Sequence, residues 1–310
     1  MIRVVVAGTS TFGLPSFSTL AGATDVTVVG AISQPARPVG RHGVLTPSPV
    51  AAWANEHHLP ILTPVNWRTA TDLAALSEWH PDVVVVAAYG VIVPADFLAI
   101  PNYGCINLHA SLLPAYRGAS PIAAAILQGD DTTGITFMRM DEGLDTGDIL
   151  AQYSCPITST DTVVSVSERL AELAADHVVQ TLVDVVSGKI MSHPQPQSVS
   201  YAKKVSRDDG RATWESAEQL DRRLRAYTPW PGLWTTWQGR TIKILAGEVV
   251  LDGPSGAPGT VLRLETGQWA IRCETGLFRP TEVQFSGKQP QPAVRIPGSY
   301  PEFLGSQLGS

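Results

Sequence analysis

The chain has 310 residues, 44% of them apolar, with a net charge of −6 at pH 7; it is long enough for two domains and too apolar for disorder. The acidic balance argues against a general nucleic-acid binder but is uneven: residues 1–209 carry 11 Lys and Arg against 19 Asp and Glu, and residues 210–310 carry 11 against 9, which permits RNA contact by the second part. No apolar run reaches the roughly 18 residues of a membrane span, and the first apolar run is too short for a leader peptide.

Residues 2–7 form a near-continuous apolar run, the pattern of a strand buried on both faces. A turn at Gly8-Thr9-Ser10, a short helix over 12–20 and a second strand over 26–32 follow. Residues 33–49 (SQPARPVGRHGVLTPSP) read as a loop, long for an α/β unit, whose connections usually take about 2–6 residues. Helices are expected over 50–57 and 71–79, with an extended piece over 60–62. DVVVVAA at 82–88 is the clearest buried strand. A turn at Tyr89-Gly90, a short helix over 94–98 and a strand over 105–109 come next. A helix over 120–128 and strands over 134–140 and 149–154 lead to an amphipathic helix over 161–187, where Leu170, Leu173, Val178, Leu182 and Val185 recur at helical spacing. The alternation predicts a doubly wound, mainly parallel sheet.

Residues 189–210 shift to Pro, Ser, Gln and charge and read as a linker. A charged helix over 215–226 precedes short β-rich runs at 233–237, 241–250, 259–264, 269–273 and 276–284, spaced as in a small OB-like barrel. Tyr227, Trp230, Trp234 and Trp237 read as packing between this helix and the barrel. The residues beyond 295 read as loosely held.

The chemistry concentrates at the end of the 105–109 strand. Strand side chains alternate faces, so Asn107 and His109 share one. Ligands bind beyond the carboxyl ends of such strands. Asp145, in the Gly-flanked turn between two later strands, can supply a carboxylate, although Asp141, Glu142 and Asp148 are open alternatives by spacing. An amide donor, a titratable base and a carboxylate suit acyl transfer without a covalent intermediate. Cys105 shares the face but lies about 13 Å back along the strand from His109, and reads as a small apolar residue. The three cysteines, Cys105, Cys155 and Cys273, lack CxxC spacing and suit a reduced, cytoplasmic setting. Gly8 to Gly13 does not match G-x-G-x-x-G and no acidic residue ends the second strand, which disfavours NAD. His57 and His58 are adjacent on a helix and cannot share a metal; His177 reads as structural.

GCINLHASLLPAYRGASPI followed by GLDTGDIL resembles the formyltransferase family that uses 10-formyltetrahydrofolate. Three more stretches support the resemblance: IRVVVAGTSTFG at the start, the QPARPVGRHGVLTPSPV insertion, and YAKKVSRDDGRATW with AYTPWPGLW. The resemblance implies a Rossmann-like formyltransferase domain over 1–189, a linker over 190–210 and an OB-like tRNA-binding domain over 211–310. It implies catalytic roles for Asn107, His109 and Asp145, a folate-binding loop at Ser111, Leu112, Leu113 and Pro114 with Tyr89 in the pocket wall, and tRNA contacts from Arg41 in the insertion and from Lys204. The implied acceptor is methionine on initiator methionyl-tRNA, the donor is 10-formyltetrahydrofolate, and no metal or membrane is involved. Ala36 and the lysine-poor GRHGVL depart from the family's insertion, and Thr213 from its linker. A monomer is the default, since no unpartnered apolar helix face asks for a second copy. A small-amine formyltransferase, a formate-releasing hydrolase and a non-catalytic RNA binder are the rival readings.

Overall fold

The computed structural model describes residues 1–40, 43–67 and 69–309. They divide into two units, one of Met1–Pro121, Thr132–Pro156 and Val166–Lys203, the other of Ile122–Asp131, Ile157–Ser165 and Lys204 onward.

The first unit opens with β1 (Ile2–Gly8), α1 (Leu14–Gly22), β2 (Val26–Ile32), β3 (Arg37–Val39), β4 (Val44–Thr46), α2 (Pro49–Glu56), β5 (Ile61–Leu62), α3 (Ala70–Glu78), β6 (Val83–Ala87), α4 (Ala95–Leu98) and β7 (Cys105–His109). It continues through β8 (Arg117–Gly118), β9 (Thr132–Arg139), β10 (Ile149–Pro156) and most of α6 (Val163–Val186) to β11 (Tyr201–Ala202); α5 (Pro121–Gln128) lies almost wholly in the second unit. Among the described residues a seven-stranded sheet runs β10-β9-β7-β6-β1-β2-β5. β5, β2, β1, β6 and β7 are parallel, and β9 and β10 are antiparallel additions beside β7. The sheet is therefore mainly parallel and doubly wound.

Its valine runs serve two faces. Val4 and Val6 of β1 and Val83 and Val85 of β6 join Phe17, Leu20, Trp53, Val178 and Leu182. Val5, Val84 and Val86, one residue out of phase, join Trp67, Leu76 and Phe97. A strand covered on both faces has no polar alternation to show, which is why these segments are apolar throughout. Helix starts are capped locally: Ser48 accepts from Ala51 N–H with Pro49 following, and Thr69 accepts from Asp72 N–H.

Strand order reverses between β1 and β6, the point at which doubly wound sheets hold ligands. Here the turns after both strands are tied together: Thr9 N–H donates to Ala88 O (3.2 Å) and Thr9 Oγ1 to Tyr89 O (2.8 Å). Parallel register places Val86 beside Asn107, so β7 carries its polar residues to the same edge.

Three expectations change. Residues 33–49 are not a plain loop: β3 and β4 pair as an antiparallel hairpin, with Gly40 (φ 73°) and Gly43 (φ 60°) supplying left-handed turn conformations that a propensity reading of a Pro-rich stretch overlooks. The C-terminal residues are not loose. Phe303 and Leu308 are buried, and Gly305 N–H and Val261 N–H bond Val261 O and Ser306 O at 2.8 and 2.9 Å. Trp230 is 59% exposed rather than packed.

The second unit packs α7 (Ala217–Tyr227) on an antiparallel sheet of β12 (Leu233–Trp237), β13 (Arg240–Val250), β14 (Val261–Arg263), β15 (Trp269–Arg272), β16 (Leu277–Phe285) and β17 (Gln291–Pro292). The order is β12-β13-β16-β15-β14, with β17 on β16, and register shifts between Ile244 and Gly247 help the long β13 to curl. The result is the expected small barrel-like domain. Its centre is Trp237, 1% exposed, with Tyr300 and Phe303 edge-on at 5.4 and 5.2 Å between centroids. Trp237→Ala is expected to cost about 3–5 kcal/mol, read by denaturant unfolding; a loss below about 1 kcal/mol would show that the aromatic cluster does not hold this unit. Among the described residues no helix is long and apolar enough to cross a membrane.

Candidate active site

β7 ends in Asn107, half-buried, and His109, 5% exposed. β9 pairs on its other side, with Asn107 opposite Met138 and His109 opposite Thr136. After β9 the chain makes the turn that carries Asp145, whose backbone is left-handed (φ 51°), a conformation that Asp tolerates better than most residues. Gly147 lies so close to β9 that a Cβ there would sit 1.7 Å from Arg139 O; glycine is required for the turn to fold back on the strand.

The turn brings the Asp145 carboxylate to the β7 pair. Oδ1 is 3.7 Å from His109 Nδ1 and 3.5 Å from Asn107 Nδ2. Oδ2 accepts from Gly118 N–H at 2.7 Å. The alternative acids are used elsewhere: Asp141 Oδ1 accepts from Gly143 N–H and Thr146 Oγ1, and Asp148 Oδ2 from Ser192 Oγ. Glu142 is exposed.

His109 Nε2 lies 3.0 Å from Tyr116 O. A carbonyl can only accept, so Nε2 carries the hydrogen and Nδ1 of the neutral ring turns its lone pair toward Asp145. Burial pushes the imidazole below its ordinary pKa, opposed by the Asp145 carboxylate and the Tyr116 carbonyl. The ring is thus neutral at pH 7, yet a proton arriving at Nδ1 meets a carboxylate. Cys105 is buried and its thiol is pushed up to about 12 by burial, so the inert reading of that residue stands.

The 111–114 loop is held from behind. Thr136 Oγ1 donates to Ser111 O (2.6 Å) and accepts from Leu113 N–H (3.0 Å), and Gln152 Nε2 donates to Leu113 O (2.9 Å). Ser111 and Leu113 are buried, Leu113 against Met138 and Ile149, while Leu112 and Pro114 are half-buried. Tyr89 is also buried: its hydroxyl accepts from Trp67 Nε1 at 3.0 Å, its pKa is raised to about 12 by burial, and its carbonyl takes Gln34 Nε2 at 2.8 Å. A cleft of about 450 Å³ opens here, lined by Gln34, Pro35, Arg37, Val65, Gly90 and Val91. That volume is in the range of small-molecule sites. Lys204 is exposed in the second unit, and Arg41 lies outside the described residues.

Two groups escaped the sequence. One is the Gly118 N–H on Asp145. The other is Gln195, in the stretch read as linker, whose amide touches both Arg117 and the Asp145 turn. Neither carries a local signal, because both act over separations of 27 residues or more.

A doubly wound sheet with Asn, His and Asp gathered at its strand ends, joined in the chain to a small barrel, defines a group-transfer enzyme, and known proteins place it. Residues 2–182 match the formyl transferase family and residues 204–298 the formyl transferase C-terminal domain. The solved structure of WlaRD, a sugar 3N-formyl transferase, superposes with a TM-score of 0.66 at 16% identity, over 93% of this chain and 99% of that one. The chain belongs to the formyl transferase family. Among its relatives, the methionyl-tRNA formyltransferase of Marinobacter nauticus is 40% identical over 292 residues, 94% of each chain. That of Geobacter sulfurreducens is 36% identical over 310 residues, 99% of this chain and 97% of its own.

Proposed function

We propose that this enzyme transfers the formyl group of 10-formyltetrahydrofolate to the α-amino group of methionine on initiator methionyl-tRNA, supporting translation initiation. The observation that carries the reading is the convergence of Asn107, His109 and Asp145 in a chain alike to methionyl-tRNA formyltransferases almost from end to end. Residues 1–189 are assigned to catalysis, 190–210 to the linker and 211–310 to tRNA binding. The assigned setting is cytoplasmic and the assigned state monomeric.

A free α-amino group has a pKa of about 8, so a usable fraction of the acceptor is neutral without strong activation. Asn107 keeps an amide N–H in reach of the reacting centre, since its bond to Asp145 is long at 3.5 Å, and donates it to the oxyanion that amine attack creates. His109 takes the amine's proton on Nδ1. The imidazolium then has both N–H groups directed at acceptors, Tyr116 O and Asp145 Oδ1. Its charge stabilises the oxyanion, and the proton is at hand for the departing nitrogen of the donor. His109 is a base first and a donor only once protonated. Ser111 to Pro114 and the cleft at Gly90 and Val91 are assigned to the donor, and Arg41 and Lys204 to the tRNA.

The test is formyl transfer to charged initiator and charged elongator Met-tRNA. Transfer to the initiator alone supports the reading, and phosphate contacts require the affinity to fall as salt rises. Folate turnover with transfer to neither tRNA would leave a formyltransferase-like site and favour a formate-releasing hydrolase or a small-amine acceptor.

A further inference from the structure

We propose that Gln195 is a positioning residue for Asp145, acting from a strap formed by residues 192–202. The inference rests on the reading of Asp145 as part of the reacting centre. The strap starts beside β10, where His193 exchanges two backbone hydrogen bonds with Ile149 (2.9 and 3.0 Å). It ends beside β8, where Arg117 N–H donates to Ser200 O (2.9 Å), Tyr116 N–H donates to Ser200 Oγ (2.9 Å), and β11 pairs with β8. Between these anchors Gln195 spans the Asp145 turn and β8. Its Nε2 gives one hydrogen to Asp145 O and the other to Gly147 O, both at 2.8 Å. Its Oε1 accepts from Arg117 Nε (3.0 Å) and Nη2 (2.7 Å).

Both hydrogens and the oxygen of one side chain are therefore committed to two elements that meet at the site. β8 supplies the Gly118 N–H on Asp145 Oδ2, and the residue before Arg117 supplies the carbonyl that orients His109. Asp145 is gripped at its carboxylate by β8 and at its main chain by Gln195, which in turn grips β8 through Arg117. Asp141 holds the turn from within through Gly143 N–H and Thr146 Oγ1, and Gln195 ties the left-handed Asp145 main chain to β8. Arg117, 8% exposed, is a buried cation for which Gln195 is a hydrogen-bonding partner.

Gln195→Met keeps the side chain's length and removes every hydrogen bond. Gln195→Glu keeps an acceptor for Arg117, removes the donors to Asp145 O and Gly147 O, and turns a carboxylate oxygen toward those carbonyls. Both variants are expected to lower kcat about 10- to 100-fold, the cost of a misplacement near 1 Å, with KM for either substrate changed less than about threefold. Because the residue works through Asp145, adding Gln195→Met to Asp145→Ala is expected to cost less than about twofold more. Should Gln195→Met fail to fold, Gln195→Glu carries the same comparison. Full kcat in Gln195→Glu, or equal losses in the presence and absence of the Asp145 carboxylate, would overturn the proposal. A fully active Asp145→Ala enzyme would instead overturn the reading of the site on which it rests.

Discussion

Asp145→Asn is expected to lower kcat about 10²- to 10⁴-fold, the usual worth of general acid–base help, with little change in melting temperature. The side chain is isosteric, and an oxygen remains to accept from Gly118 N–H (2.7 Å in the wild type). What changes is the group facing His109 Nδ1 at 3.7 Å and Asn107 Nδ2 at 3.5 Å. An amide there offers an N–H to the lone pair, favours the neutral ring and leaves no counter-charge for an imidazolium. The pH dependence carries a sign. Burial holds the pKa of His109 below 6.5, and Asp145 opposes that shift. A base must be unprotonated to act, so the imidazole's own acid limb in kcat/KM lies below the ordinary histidine range, apart from the limb of the acceptor amine at about pH 8. Removing the carboxylate leaves burial less opposed, and the imidazole's limb moves to lower pH still. His109→Ala removes the imidazole's limb and leaves the limb of the acceptor amine. A pH–rate profile of formyl transfer checks all three, and an Asp145→Asn limb displaced to higher pH contradicts the arrangement.

Much of this site is legible in the chain itself, for a physical reason. Asn107 and His109 sit two apart on one strand, and strand geometry alone puts them on one face. The valine runs of β1 and β6 announce a doubly wound sheet because both faces are covered, and the sheet's topology then says which edge matters. Asp145 is a weaker case. Four acids lie between 141 and 148, and the choice among them depends on the turn that Gly147 lets fold against Arg139 O. Family resemblance singles out the same residue that geometry brings to His109.

What stays hidden is non-local or compensated. Gln195 lies in a stretch whose Pro, Ser and Gln content suggests a solvated tether, but its partners are 48 to 78 residues away. No local pattern reports such contacts. The β3–β4 hairpin is masked by its prolines, although Gly40 and Gly43 frame its turn. Trp230 has the composition of a core residue and the position of a surface one. The 111–114 loop is fixed by Thr136 and Gln152, polar residues on strands expected only to be strands. In each instance the side-chain type is ordinary and the meaning comes from a partner distant in sequence.

Asn107→Ala is the second large effect, an expected fall in kcat of about 10²- to 10³-fold, the cost of one lost oxyanion donor. The amide is held by β7 between β6 and β9, opposite Val86 and Met138, and so costs little reorganisation when charge develops. In the resting site its Nδ2 is 3.5 Å from Asp145 Oδ1, too long for a strong bond. That bond is therefore weak competition for the substrate oxygen, and its loss should be worth no more than about 1 kcal/mol of stability. Activity and stability are thus expected to separate: single-turnover formyl transfer slows by orders of magnitude, the melting temperature hardly moves, and KM for the folate donor stays near wild type because the donated bond strengthens only in the transition state. Asn107→Asp is expected to be worse than Asn107→Ala, since a second carboxylate would lie beside Asp145 and repel the oxyanion. If Asn107→Ala instead raised KM and spared kcat, the amide would be a ground-state contact, and stabilisation of the oxyanion would fall to the His109 imidazolium.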